Sequence, residues 1–304
     1  MDSQRGKMLT LLTSIATILE KQFQPVITEY DLSLLILKSC NEQKSHIITP
    51  NNNSEITSRK TLNSILSSLQ ELNIISKHND FAGPSVYSIV HKKQSDVSSI
   101  ACAADPFLYI SHLTAMNLYG LSNIISNNIY ITEPKPDKWL ELAEMKMLED
   151  KKQLSDHSLG NALPPLIKPK FTRVGKSGIV RFADKMHGQY KLMKNSNVRL
   201  STLGRTFYDM LSKPNYCGDM QHVLDVFKEF APQYGNLIIE EIDTIATPIE
   251  KVRAGFILEE YCGIKNPIVE SWIRFCQRGG SRKLDPSKEY KSVFSERWCL
   301  SINL

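Results

Sequence analysis

No two cysteines in this sequence are spaced as zinc ligands. Six cysteines stand at 40, 102, 217, 262, 276 and 299 of 304 residues, with no CxxC and no Cys/His set at metal-ligand spacing. That scatter points to reduced, packed thiols in a cytoplasmic protein and to no metal site. No apolar run approaches the roughly 20 residues needed to span a bilayer, so no membrane partner is expected. The start, MDSQRGKMLTLL, has neither a long apolar core nor a small-residue cleavage site, so it does not read as a signal peptide. No Ser/His/Asp, Cys/His or paired-carboxylate arrangement stands out, and no catalytic residue and no cofactor are assigned. Gly175-Lys176-Ser177 lacks the first glycine of a phosphate loop, because Lys170 stands in its place. The net charge of +5 is too mild to name a partner.

What is present begins with Thr57 to Val90. Leu62, Ile65, Leu66, Leu69 and Leu72 recur at helical spacing and share one face. Lys60, Asn63, Ser64 and Ser67 fall opposite, Arg59 flanks them, and Thr57 or Ser58 is placed to cap the helix. Ile74 to Lys77 and Val86 to Ile89 are β-prone and enclose a turn with Gly83-Pro84. A polar-faced helix followed by a hairpin is the winged-helix pattern, which sets such a helix in the major groove of DNA. The DNA-contacting candidates are Ser58, Arg59, Lys60, Asn63, Ser64, Ser67 and Lys77. A small packing unit with a solvated polar face fits the same residues.

The preceding residues support the pattern. Met8 to Gln22 is apolar on a helical period, and Thr28 with Asp31 opens a second helix through Leu37. Asn41 to Ser54 is longer than the usual connecting turn, with a short strand expected at His46 to Thr49. Residues 1–97 hold ten Lys and Arg against nine Asp and Glu, a weak basic stripe for a DNA reader. A winged helix used for protein contact is therefore a second option. Ser95 to Ala104 reads as a linker or a short capping segment, which gives a first domain over 1–97 and a second over 98–304.

In the second domain, Ser111 to Tyr119 reads as a helix ended by Gly120, and Ile129 to Thr132 as a strand. Val198 to Leu211 reads as a strand entering a helix capped by Ser201 or Thr202. Asp219 to Phe230 and Ile249 to Tyr261 read as helices, the latter started at Thr247-Pro248. Arg205 and Asp209 are spaced for a helical ion pair, and Arg253 for pairing with Glu250 or another acidic neighbour. His112 reads as a packed residue. Glu133 to Lys170 looks like an insertion, with a charged helix from Trp139 to Leu154 and a proline-rich end. It reads as a mobile arm or a dimer contact.

These runs carry a resemblance. SHLTAMNLYGL, IYIT, VRLSTLGRTFYDML, KVRAGFILEE, KLDP and RWCLSIN, in that order, resemble the AbiEi family of abortive-infection antitoxins. The resemblance implies an α+β chain, an N-terminal winged helix-turn-helix followed by a mixed α/β antitoxin domain. It implies a transcriptional autorepressor that binds inverted repeats in its own double-stranded promoter DNA, an arrangement compatible with a homodimer on DNA. It also implies a partner, a cognate nucleotidyltransferase-like toxin of a phage-defence operon, opposed directly or indirectly. A winged-helix regulator of another mobile-element or defence operon, with an oligomerisation or ligand-binding second domain, and an enzyme acting on nucleic acid are the competing classes. The insertion and the Asn-rich loop depart from the short members.

Residues 165–213 hold eleven Lys and Arg against only Asp184 and Asp209. Phe171 to Lys176 and Ile179 to Asp184 read as a hairpin turned at Lys176-Ser177-Gly178. Arg173, Lys176, Arg181, Lys185, Lys191 and Arg199 are the candidates for a polyanion or acidic-partner surface. A solvated sheet face is the plainer alternative.

Overall fold

Leucine spacing in the first third of the chain calls for helices, and the computed structural model places them there. It describes residues 2–46, 59–83, 85–92, 96–154, 162–184, 188–278 and 282–304; the side chains of 2–7, 40–46, 60 and 61 are also outside the description. Helices and strands mix without a repeating βαβ pattern, so the chain is α+β. The chain divides into two compact units. The first comprises Met1–Leu108, Glu133–Ile179 and Met193–Val198, and the second Tyr109–Thr132, Val180–Leu192 and Arg199–Leu304.

The first unit opens with α1 (Asp2–Lys21), β1 (Val26–Thr28), α2 (Glu29–His46), α3 (Arg59–Glu71), β2 (Ile75–Lys77) and β3 (Val86–Ile89). The three strands form an antiparallel sheet in the order β1-β3-β2, with Val26 opposite Ser88 and Lys77 opposite Tyr87. Thr28 starts α2 as the sequence suggests: its Oγ1 accepts from the Asp31 amide at 3.0 Å and donates to Asp31 Oδ2 at 2.7 Å. β1 is absent from the sequence reading because three residues ahead of a cap carry no alternation to detect. α2 runs nine residues past Leu37 and takes in His46, so no strand starts there, and the rest of the expected His46–Thr49 strand lies outside the described residues.

Two expectations about domain limits are corrected. Of the two readings of Ser95 to Ala104, the linker is excluded: the segment holds a short packed helix, α4 (Val97–Ala104). Asp96 caps it by accepting from the Ser99 amide, and Ser98, Ser99, Ala101, Cys102 and Ala104 are buried. Small residues pack here where composition alone suggests a tether. Residues 133–170, assigned by sequence to the second domain, belong to the first unit. Helix α6 (Pro136–Gln153) and the segment after it bury Trp139, Ala143, Leu154, Ala162, Leu163 and Leu166 in one core with Leu19, Leu37, Leu62 and Leu69. Trp139 Nε1 donates to Asp105 Oδ1 at 3.1 Å, and Lys170 exchanges backbone hydrogen bonds with Ala82 at 2.7 and 2.9 Å. The described residues of the segment, 133–154 and 162–170, are a packed part of this unit.

The second unit holds strands β4 (Tyr109–Ile110), β8 (Tyr190–Leu192) and β9 (Arg199–Ser201), together with β5 (Asn128–Pro134) as far as Thr132 and β7 (Ser177–Asp184) from Val180, in the order β7-β5-β4-β9-β8. β4 pairs antiparallel with β5 and parallel with β9. Helix α5 (His112–Tyr119) ends at Gly120, whose φ of 73° is the left-handed cap that glycine tolerates. Helix α7 (Leu203–Ser212) is capped by Thr202 Oγ1, which accepts from the Arg205 amide. It lies against α8 (Met220–Ile245) at Gly204, where a Cβ would stand 2.7 Å from the Leu237 carbonyl. Leu211, Phe207, Leu224, Phe227, Ile242, Val252, Trp272 and Trp298 make its core. The last predicted helix is shorter than expected. It spans Pro248–Gly255, and a wider turn follows over Phe256–Tyr261. Among the described residues no helix is long and apolar enough to cross a membrane.

Candidate nucleic-acid interface

α3 places its residues largely as its periodicity requires. Leu62, Ile65, Leu66 and Leu69 are buried, while Arg59, Asn63, Ser64 and Ser67 are exposed on the other side. Leu72 departs from the apolar face: it lies beyond the helix end and is 53% exposed. Lys77 is exposed at the end of β2. Ser58 and the Lys60 side chain lie outside the described residues. Asp80 lies between β2 and β3 and accepts from the Gly175 amide at 2.6 Å. The loop between β2 and β3 is thereby tied to residues far along the chain in the same unit.

The hairpin expected around Lys176 is present with a shifted turn. β6 (Arg173–Val174) pairs with β7 so that Arg173 faces Gly178 and Val174 faces Ser177, which leaves Gly175-Lys176 as the turn. Gly175 has φ 58°, a value that places the tight two-residue turn on glycine. Arg181 lies three residues beyond Gly178, an odd separation, so the register does not place Arg173 and Arg181 on one face. Arg173 and Lys176 are exposed in the first unit. Arg181 and Arg199 are half-buried in the second, and Lys191 lies with its Nζ 5.0 Å from the Tyr119 ring centroid. Lys185 lies outside the described residues. Lys168, counted in the same basic stretch, pairs with Glu133 at 2.9 Å.

The expected Arg205–Asp209 ion pair is present and His112 is packed, but they belong to a larger buried polar cluster in the second unit that sequence reading missed. The two carboxylates of the basic stretch both converge on Arg205. Its Nε donates to Asp209 Oδ1 at 2.9 Å and its Nη1 meets Asp184 Oδ2 at 2.5 Å. Burial opposes the guanidinium charge, but Asp209, Tyr109 and Asp184 outweigh it and raise the Arg205 pKa. His112 stands beside them, its Nδ1 2.8 Å from Ser111 Oγ and 3.9 Å from Asp209 Oδ2, its ring stacked on Phe182 at 3.8 Å. Burial lowers its pKa from 6.5 to about 4, against the opposing pull of Asp209, so the imidazole is neutral near pH 7. Its backbone φ of 50° is unusual outside glycine and asparagine. His112 Nε2 and Asp209 Oδ2 have no hydrogen-bond partner among the described residues. The cluster ties β7 and α5 to α7. The clue available in the sequence was the isolation of Asp184 and Asp209 among eleven cations.

The same unit has an open cleft of about 460 Å³ lined by Ser122, Ile124, His222, Asp225, Glu229 and Phe230, among others. His222 Nε2 lies 2.9 Å from Ser122 Oγ, which accepts from the Ile124 amide at 3.2 Å. Arg253 Nε donates to the Lys283 carbonyl at 2.9 Å, with Glu250 and Asp285 as the acidic neighbours that act on its charge. Glu250 is engaged in capping, accepting from the Thr247 amide at 2.9 Å.

No protein-family model matches the chain, and no curated protein matches it. A crystal structure of the RV2827C protein from Mycobacterium tuberculosis is similar in fold, with a TM-score of 0.51 and 10% sequence identity. The alignment covers 96% of this chain and 90% of that one. At that identity the likeness is one of fold alone.

Proposed function

We propose that this chain is a transcriptional autorepressor and antitoxin of the AbiEi kind. In this reading the first unit carries a winged helix, α3 enters the major groove of promoter inverted repeats, and the β2–β3 hairpin is the wing. The observation that carries the reading is the exposed row of Arg59, Asn63, Ser64 and Ser67 backed by buried Leu62, Ile65 and Leu69. The element order α1-β1-α2-α3-β2-β3, with its antiparallel sheet, supports it. Arg59 and Lys77 are the described cations placed to meet phosphate, and Asn63 suits a base edge. The second unit opposes a nucleotidyltransferase-like toxin. Support for that half is the ordered resemblance of its motifs, whose residues Ser111, His112, Arg205 and Asp209 form the buried cluster of that unit.

The test is co-expression of the chain with its adjacent gene, with growth rescue and repression of a promoter reporter read in parallel. Rescue together with repression supports both halves. A folded chain that neither rescues nor represses overturns the proposal.

A further inference from the structure

Among the described residues, α6 leaves one face without a partner. It buries Trp139, Ala143 and Asp150, and turns Leu140, Met145 and Leu148 outward at 59%, 52% and 56% exposure. Residues advance about 100° around a helix, so these three fall within an arc of about 140° facing away from the buried side. Glu141, Glu144, Lys151 and Lys152 are exposed in the same arc. The acids lie toward the N-terminal half and the lysines at the C-terminal end. Single exposed apolar residues are ordinary. Three on one helix face, with opposite charges toward its two ends, form a pattern that complements itself when turned end for end.

We propose that this face of α6 is a self-association surface, and that a second copy of the chain lays its own α6 across it antiparallel. Glu141 and Glu144 of each copy then meet Lys152 and Lys151 of the other, while Met145 and Leu148 pack near the two-fold axis. A parallel pair would set like charges together, so the charge order selects the antiparallel one. The contact is isologous, as closed dimers require. Lys138 already pairs with Glu141 at 2.7 Å, but both are exposed and such pairs contribute little, so exchange for a partner lysine is easy. One helix pair lies at the low end of specific interface size, so the dimer is weak and forms at high protein concentration. The inference does not depend on DNA binding.

Sedimentation velocity of the full chain at low salt, over a wide concentration range, tests it. The wild type shifts from monomer to dimer as concentration rises. Lys151→Glu with Lys152→Glu weakens association at least about tenfold, since it sets four acids against four. Adding Glu141→Lys and Glu144→Lys restores it, because the reversed face again complements itself. Should the reversed helix fold poorly, an equal mixture of the all-acidic and all-basic double variants provides the same readout and associates more tightly than either alone. A wild type that stays monomeric throughout overturns the proposal. So does a failure of both the quadruple variant and the mixture to recover association.

Discussion

The Tyr30 hydroxyl donates to Asp150 Oδ2 at 2.8 Å across 120 residues of sequence. Lys146 reaches the same oxygen at 2.8 Å. This buried bond joins α2 to α6 within the first unit and makes residues 133–170 part of the fold that carries α3.

Trp139→Ala should therefore destabilise the first unit by about 3–5 kcal/mol, the usual cost of removing a buried aromatic side chain. A piece ending near residue 97 should not fold, because it lacks Trp139, Ala143 and Leu166 of the shared core. Denaturation followed by amide exchange assigns the loss to one unit. Unchanged stability in Trp139→Ala, or a folded 1–97 piece, contradicts this assignment.

Arg205→Ala should destabilise the second unit by about 3–5 kcal/mol, because it removes the cation that holds the buried Asp209 and the half-buried Asp184. Arg205→Lys should recover only part of that, since one ammonium cannot reproduce the forked contact to two carboxylates. Chemical denaturation monitored by tryptophan fluorescence reads the loss, with Trp272 and Trp298 both buried in that unit. A melt unchanged in both variants contradicts the buried-cluster assignment.

His112 makes stability depend on pH in a defined direction. Its folded pKa is lowered from 6.5 to about 4, chiefly by burial. Between those values the unfolded chain holds a proton that the folded chain does not. The contribution of the neutral imidazole is thus complete above about pH 7 and is lost as pH falls from about 6.5 toward about 4, amounting to about 3 kcal/mol. His112→Asn should flatten that slope, and asparagine tolerates the left-handed backbone at this position. Parallel urea melts at pH 5 and pH 7 check it. Equal slopes in the two proteins rule out His112 as the source.

Local signals were legible and long-range ones were not. Leu62, Ile65 and Leu69 gave α3 its buried side, and Thr28, Gly120, Thr202 and Thr247 marked helix ends, because periodicity and caps act within a few residues. The Trp139–Asp105 contact and the meeting of Asp184 with Arg205 are made by the folded chain and leave no local spacing to detect. Small residues misled at 97–104, where Ala101, Cys102 and Ala104 pack and do not tether. Counting charge misled at 165–213, because Arg205 and Lys168 are held by carboxylates.

The central claim, DNA reading by α3, is tested most directly by fluorescence anisotropy of a labelled duplex from the chain's own promoter against a scrambled duplex, at fixed salt. The wild type should bind the promoter more tightly than the scrambled duplex. Asn63→Ala should cost about 1–3 kcal/mol on the promoter and little on the scrambled duplex, while Arg59→Ala with Lys77→Ala should weaken both and lower the salt dependence. All three positions are exposed, so melting should be unchanged. Equal affinity for the two duplexes, or promoter binding untouched by all three substitutions in folded protein, would contradict the account.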